Sequence, residues 1–511
     1  MSIETELKLR ITPEALAKLR RHALLRTYAV TRPVTRRLYN IYFDTPKLSL
    51  HKSRMALRLR RVGRQWIQTL KGGGSVKGGL HQRNEWEVPV GGPALDFDLA
   101  DMAEWDVHLP PSLRRKLRPV FVTDFSRSSR MLSYQGAEIE LCMDQGDVST
   151  EQASMNICEL ELELKLGEPR QLFELALAML DVVPLELEVF NKAQYGYRLM
   201  SGCTDTPVKA TVPNVRESET ITEVLQALIW SCLQHLQVNL RGAMANEDAE
   251  YLHQMRVALR RLRVVLRMAE KLRGDDQLTI LINQLAALCA ALGKIREWDV
   301  FISQTLQPMC ERMPDHAGLQ VLLAVGEQRR AACHAMMRSE GRALDLQRFI
   351  LHFSIWMSGP YWQQAEEVPQ ARVFATHYLC KLASRFSREG KQLKSPDKDM
   401  QKLHALRILA KRLRYSAEFF SCLYDKQARK AFLAKLSEIQ EVLGRINDIS
   451  VAHRLLDELG DETIRPASDL SVNSEGIALV KGWIANELLH EFTTLQNANR
   501  RFIKQPEFWE K

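Results

Sequence analysis

The sequence predicts two architectures in tandem. An α+β N-terminal domain contains a closed antiparallel β-barrel, or tunnel, and an all-α domain of two duplicated helical bundles follows it. Three observations carry this reading. Short segments of period-two alternation fill residues 1–200 and then give way to long segments of helical period. Within the first part, charges of both signs alternate with Leu, Ile and Met along single strands. Within the second, two blocks of sequence recur at one offset of 151 residues. The stretch 201–218 has two prolines, small polar residues and no periodicity, so it reads as the linker between domains 1–200 and 219–511.

The chain opens with a strand at 3–10. A helix over about 12–25 follows, with Thr12 as N-cap and Pro13 at its first position. Strands are predicted at 34–43, 54–62, 64–71, 80–90, 118–134 (as one or two), 137–144 and 157–166, with a helix over about 169–180. That number of strands suits a closed barrel of roughly eight.

The strand faces carry the functional signal. Glu4, Glu6, Lys8 and Arg10 share one side of the first strand, and Arg54, Arg58 and Arg60 one side of the third. His81, Arg83, Glu85 and Glu87 line the fifth; Glu138, Glu140 and Asp144 a later one; Glu159, Glu161, Glu163 and Lys165 the last. One such strand is ordinarily a solvated edge of an antiparallel sheet. Several rows of like charge are unfavourable on a flat face unless opposite charges stand across from them. Closing the sheet with the charges inward supplies those opposites and leaves the leucine rows outside for helices to cover. Carboxylates without His or Cys at ligand spacing select a hard divalent cation, Mg²⁺ or Mn²⁺. Arg and Lys opposite them select oxyanions. A metal bound to a chain of phosphates satisfies both walls, and metal-assisted phosphoryl transfer is the chemistry that follows.

The ordered set Glu4-x-Glu6-x-Lys8, Tyr42-Phe43-Asp44-Thr45-Pro46, Leu57-Arg58-Leu59-Arg60, Thr69-Leu70-Lys71, Arg83-x-Glu85-x-Glu87 and Glu159-Leu160-Glu161-Leu162-Glu163 resembles the CYTH superfamily, the triphosphate tunnel metalloenzymes. The resemblance implies Glu4, Glu6, Lys8, Glu85 and Glu87 as catalytic candidates. It implies Glu4, Glu6, Asp144, Glu159, Glu161 and Glu163 as metal ligands. Lys8, Arg58, Arg60, Lys71, Arg83, Arg127 and Lys192 would hold the triphosphate. Around Lys192, Asn191-Lys192-Ala193-Gln194-Tyr195 keeps only the lysine of the Ser-Lys-basic pattern common in the family. The glycine-rich stretch 71–79 lacks P-loop spacing and reads as a flexible hairpin connection at a tunnel mouth. Trp66 and Trp86 fall on the faces opposite Lys71 and Glu85, where packing is the expected role.

In the second part, ten to twelve helices are expected. Residues 252–263 (LHQMRVALRRLR) match 403–414 (LHALRILAKRLR), and 292–297 (LGKIRE) match 443–448 (LGRIND). His253, Arg256, Arg260, Arg263 and Arg267 fall in one helical arc beside a leucine stripe, and His404, Arg407, Lys411 and Arg414 repeat it. A basic helix face is ordinarily solvated. Its repetition in register with few acidic partners points to a linear polyanion. These blocks resemble the CHAD domain, which accompanies CYTH domains and binds polyphosphate. By that resemblance His253, Arg256, Arg260, Arg263, His404, Arg407, Lys411 and Arg414 form a polyphosphate surface, with Glu418 standing where the first copy has Arg267.

Composition sets the remaining bounds. The 511 residues are 45% apolar and 26% charged, a globular balance, and the net charge of +9 argues against a nucleic-acid coat. No recognised DNA motif or aromatic stacking platform appears. No apolar run approaches the ~18 residues of a membrane span, and the acidic N-terminus shows no secretory signal. Nine cysteines at irregular positions form no metal-ligand spacing and read as reduced thiols, hence the cytoplasm. The CYTH–CHAD arrangement implies hydrolysis of inorganic triphosphate to pyrophosphate and phosphate. A CYTH-type adenylate cyclase, a thiamine triphosphatase or a non-catalytic polyphosphate-binding module are the alternatives.

Overall fold

The computed structural model describes residues 2–98, 105, 109–202, 206–245, 248–363, 368–460 and 474–509. The chain forms two compact units, Met1–Pro207 with Ala343–Gln364, and Val208–Arg342 with Ala365–Lys511. The helical run read as 219–511 is therefore interrupted, because 343–364 belongs to the barrel unit.

In the first unit, β1 (Ser2–Arg10), β2 (Val34–Asp44), β3 (Ala56–Val62), β4 (Gln65–Lys77), β5 (Leu80–Val90), β6 (Arg118–Tyr134), β7 (Ala137–Ser149) and β8 (Ser154–Leu166) form one antiparallel sheet. Their order is β5-β4-β3-β2-β6-β7-β8-β1, and β1 pairs back onto β5 to close an eight-stranded barrel, with β9 (Glu186–Leu187) added beside β1. The leucine rows lie outside the ring: Leu7, Leu9, Leu160 and Leu162 are fully buried. On that side α1 (Pro13–Arg21) is capped by Thr12, whose Oγ1 accepts from the Ala15 amide at 3.2 Å. The expected 12–25 helix breaks at His22, whose Nδ1 accepts from the Leu24 amide at 3.2 Å and starts α2 (Ala23–Tyr28).

Two local expectations are corrected. Arg54 lies before β3 in a positive-φ turn (φ 57°) and is exposed, so it leaves the arginine row. The glycine-rich stretch is mostly strand: β4 runs to Lys77, with an irregularity between Gly72 and Ser75 opposite Asn84 and Gln82. Gly74 (φ +89°) sits so close to the partner strand that a Cβ would lie 1.8 Å from the Gln82 carbonyl oxygen. Trp66 and Trp86 pack outside the ring with Leu57, Leu59 and Leu70.

After α3 (Ser49–Lys52), α4 (Pro111–Arg114) and α5 (Pro169–Leu180), which lies on β1 and β8, α6 (Lys192–Ser201) closes one end of the barrel unit. Asn191 caps it and also receives a reciprocal bond from Gln194. Tyr195 and Tyr197 join Tyr42, Phe121, Val148 and Ile157 in the apolar plug beneath.

The second unit holds α7 (Ile221–Ala245), α8 (Ala249–Leu272), α9 (Asp276–Val300), which continues through a π turn into α10 (Gln307–Arg312), and α11 (Ala317–Met337). After α12 (Glu340–Met357) come α13 (Ala371–Lys391), α14 (Pro396–Phe419), α15 (Lys426–Gly460) and α16 (Ser474–Ile503). The 151-residue offset carries α7 onto α13, α8 onto α14 and α9 onto α15, so three helices of the duplication superpose in register. By length and composition the helix Asp276–Arg312 is apolar enough to cross a membrane. Here Trp298, Phe301, Leu306 and Met309 from it build a core with Leu319, Leu322, Leu455 and Ile484.

Close approach of α6 to β6 demands glycine at 196, where a Cβ would sit 2.2 Å from the Phe121 ring. Gly196→Ala is expected to cost about 1–3 kcal/mol by overpacking, read as a lowered thermal midpoint of the barrel unit.

Candidate functional site

Inside the ring lies a cavity of about 290 Å³. Fifteen of its twenty lining residues are charged, seven carboxylates and eight cations. The strand pairing explains why. Inward positions alternate along each strand, and β3 stands four strands from β8 in either direction around the ring. Arg58 and Arg60 on β3 therefore face Glu161 and Glu163 on β8 across the bore, with Glu4, Glu6 and Lys8 of neighbouring β1 beside the glutamates. Lys71, Arg83, Glu85, Glu87, Arg127 and Lys192 complete the candidates that line it. Asp144 and Glu159 do not line it. Both are buried, 0% and 4% exposed, on the same strand faces as the lining, and both contact Lys192.

Charges taken out of water must be paired or neutralised. Lys192 reaches from the first residue of α6 to Asp144 (2.7 Å), Glu161 (2.9 Å) and Glu159. Arg127 holds Asp144 in a two-point fork (2.8 and 2.7 Å) and also contacts Glu161. Lys8 contacts Glu161 and lies 3.0 Å from Glu6. Lys71 lies 2.5 Å from Glu4 and 3.1 Å from Glu85; Arg58 lies 3.5 Å from Glu85 and 3.8 Å from Glu87. Burial alone would push the Glu161 carboxyl up, but Arg127, Lys192 and Lys8 together hold it well below the usual carboxylate range. Glu159 shows the opposite balance. Burial, with Glu161 and Asp144 beside it, outweighs Lys192 and Lys8 and pushes it up to about 7.

Whether a cation fits can be judged from the donors. Asp144, Glu159 and Glu161 bring carboxylate oxygens within 4.8 Å of one another, the tightest acidic cluster among the described residues. Lys192 already contacts all three, so a metal there has to displace an ammonium. Toward the bore, Glu4, Glu6 and Glu163 are likewise held by Lys71, Lys8 and Lys165. Glu6 and Glu163 are cross-strand partners, and Glu4 and Glu140, together with burial, push Glu163 up. Crowded carboxylates with oxygen-only donors suit a hard divalent cation.

Several contributors were assigned no role from the sequence, although Glu140 and Lys165 stand in its charge rows and Tyr42 and Asn191 in its motifs. Tyr42, Phe125, Glu140, Lys165 and Asn191 line the cavity; Lys165 pairs with Glu163 (2.5 Å) and Glu140 (3.3 Å). Asp44 of the Tyr-Phe-Asp-Thr-Pro motif is structural. It is fully buried and accepts from the amides of Thr45, Leu50 and His51 and from the Tyr197 hydroxyl at 2.6–3.0 Å. It thereby ties the β2–β3 turn to α6.

In the helical unit, α8 and α14 bring most of the two basic arcs together. His253, Arg256, Arg260, His404, Arg407 and Lys411 line a groove of about 500 Å³, joined by Arg296 and Arg454. A neighbouring cavity of about 350 Å³ shares Arg256, Arg260, His404, Arg407 and Lys411 and adds Arg263, Arg267 and Tyr415. Arg414 lines neither cavity. It bonds Glu418 (2.8 Å) and Gln440 (3.1 Å), because the second copy has a carboxylate one turn on. Arg445 is likewise taken by Glu491 (2.6 Å). The remaining cations repel one another. Burial, then Arg407, Arg260 and Arg256, push Lys411 down to about 6 against a weaker opposing pull from Asp448. Burial with Arg260 and Arg296 pushes Arg256 down to about 10. The Nε atoms of Arg256 and Arg407 are buried without a hydrogen-bond partner.

A closed antiparallel barrel with an inward charge lattice defines the tunnel class of fold, here joined to a duplicated helical module. Residues 2–197 match the CYTH domain and residues 227–457 the CHAD domain, so the chain carries one of each in that order. A Haemophilus influenzae protein named inorganic triphosphatase is 32% identical over 204 residues, covering 39% of this chain and 55% of that one. The match thus spans about half of that relative's length. An uncharacterised Mycobacterium tuberculosis protein is 24% identical over 414 residues, covering 75% of this chain and 76% of that one. The solved CHAD domain of the plant Ricinus communis superposes with a TM-score of 0.51 at 26% identity, covering 60% of this chain and all of that one.

The depressed lysine makes the groove testable. A polyanion seated against Arg256, Arg260 and Arg407 offsets their repulsion and recharges Lys411. Above pH about 6, where free Lys411 is neutral, binding of a polyanion such as long-chain polyphosphate is expected to take up protons, and the share taken up by Lys411 falls away below it, leaving that of His253. Calorimetry in buffers of different ionisation enthalpy reads this directly, and Lys411→Arg, which stays charged, is expected to remove the Lys411 share of the uptake.

Proposed function

We propose that the barrel hydrolyses inorganic triphosphate to pyrophosphate and phosphate with Mg²⁺ or Mn²⁺, while the helical unit binds polyphosphate. The observation that carries this is the bore itself, in which an arginine pair stands across from a glutamate row and fifteen of twenty lining residues are charged. The uncharged lining, Tyr42, Ala56, Phe125, Asn191 and Ala193, is sparse, which favours an inorganic phosphate chain over a nucleotide or thiamine ester. The similarity to a protein named inorganic triphosphatase supports the same substrate. Eight free cysteines among the described residues support a reducing compartment, the cytoplasm.

In this reading Arg58, Arg60, Lys71 and Arg83 grip phosphate oxygens, and Arg127, Lys8 and Lys192 hold the acidic wall while completing the cationic side. Glu4, Glu6, Glu161 and Glu163 would hold the metal. Bound there, a divalent ion neutralises charge developing on the phosphate chain and lowers the pKa of water. Glu85 and Glu87 orient Arg58 and Lys71, and Glu87 is itself fixed by the Thr69 hydroxyl at 3.0 Å. Water attacks the terminal phosphorus, the bond to the bridging oxygen breaks with its electron pair leaving on pyrophosphate, and a proton is released.

Phosphate release from triphosphate with Mg²⁺ or Mn²⁺ tests the reading. Glu4→Gln with Glu6→Gln is expected to cut kcat/KM by about 10²-fold or more, and chelation to abolish turnover. A parent chain that releases no phosphate with either metal would sink it.

A further inference from the structure

Of the eight cations lining the bore, six lie within 4 Å of a carboxylate: Lys8, Arg58, Lys71, Arg127, Lys165 and Lys192. Arg60 and Arg83 have no such partner among the described residues. Each is held by a neutral acceptor. Arg60 Nε donates to Asn40 Oδ1 at 2.9 Å, and Asn40, fully buried on β2, is locked in turn by donating its own Nδ2 to Thr123 Oγ1 at 2.9 Å. Arg83 Nη2 lies 3.1 Å from Nδ1 of fully buried His81, whose Nε2 lies 3.1 Å from the Glu188 carbonyl oxygen. A carbonyl can only accept, so Nε2 carries the proton and Nδ1 presents its lone pair to the guanidinium. Glu188 is pinned as well: its amide donates to the Lys8 carbonyl at 2.9 Å, and its carboxylate takes the Phe190 amide at 2.9 Å.

We propose that Asn40 and His81 are positioning residues. They aim Arg60 and Arg83 into the bore through neutral acceptors and so leave these two charges uncompensated for the incoming anion. The other cations begin each cycle bound to wall carboxylates, and an anion must compete for them. At Arg60 and Arg83 it meets no such competitor, only carboxylates acting at longer range, Glu87 on the first and Glu4 and Glu6 on the second. A carboxylate in place of Asn40 would fit the same space and hold Arg60 more firmly, yet it would neutralise the charge that the anion needs. That Asn stands there separates a role in ligand binding from a role in stability. This inference rests on the proposed triphosphate site.

The test uses the full chain, with triphosphate turnover and calorimetric binding of inorganic triphosphate. Asn40→Asp should raise KM and Kd about tenfold or more, with a much smaller effect on kcat, while the thermal midpoint stays level or rises. An unchanged KM overturns the tether role of Asn40. His81 gives a second route if Asn40→Asp fails to fold. His81→Gln keeps one donor and one acceptor and should retain near-parent KM, whereas His81→Leu loses both bonds and should raise it. Equal KM for Gln, Leu and parent overturns the proposal. Arg60→Ala and Arg83→Ala separate the two levels. If neither weakens triphosphate binding, the triphosphate reading falls; if both weaken it while Asn40→Asp and His81→Leu do nothing, the tethers alone fall.

Discussion

The barrel depends on one electrostatic constraint: charges enclosed in a bore must nearly cancel. Seven carboxylates line the cavity and two more, Asp144 and Glu159, are buried beside it in contact with Lys192, against eight cations. Each ion withdrawn from water carries a desolvation cost of several kcal/mol that only well-made pairs offset. The wall therefore takes the form of shared contacts, with Lys192 on three carboxylates and Glu161 on three cations. The same balance limits what can enter. A bare phosphate chain would leave the lattice several charges negative, whereas an anion accompanied by a divalent cation disturbs it much less.

The helical unit follows the opposite rule. Its groove gathers cations from both copies of the repeat with few carboxylates among them, and the strain shows in Lys411 held near 6 and in two orphaned guanidinium Nε atoms. Such a site gains by accepting almost any polyanion, because relief of like-charge repulsion does not require a particular geometry. The bore, whose charges are mostly paired already, gains most from a ligand that replaces those pairs in the right places. The difference between the two units thus lies in how each charge set is balanced: pairs in the bore, an excess of cations in the groove.

Charge rows of period two were enough to read the barrel and most of its lining, because a strand that alternates Glu or Arg with Leu has one physically acceptable burial once the leucines are covered. The helical duplication was legible for a related reason. Repeats keep register where they pack, so the 151-residue offset maps helix onto helix. What stayed hidden had no such periodic cost. Asn40, Tyr42 and Phe125 are ordinary strand residues until the ring closes around them. The bend at Arg54 and the strand through the glycines depend on backbone conformations that composition does not specify. Arg414 looked equivalent to Arg263, but Glu418 four residues on captures it.

The least legible feature was the assignment of 343–364 to the barrel unit. In sequence it is a connection between the two helical copies, about 150 residues beyond the last barrel strand. In space Gln347 accepts from the Leu187 amide at 3.0 Å, completing β9, and Arg348 pairs with Asp181 at 2.6 Å. Beside them Leu346, Ile350 and Phe353 are fully buried. β9 in turn leads directly into Glu188, whose backbone holds both Lys8 and His81. The edge of the barrel unit is therefore finished by residues that arrive only after the first helical copy. Contacts of such long sequence separation carry a larger loop-closure entropy than local ones. The order of the duplicated helices in the chain is thus tied to completion of the barrel, and neither unit corresponds to a single uninterrupted stretch of sequence.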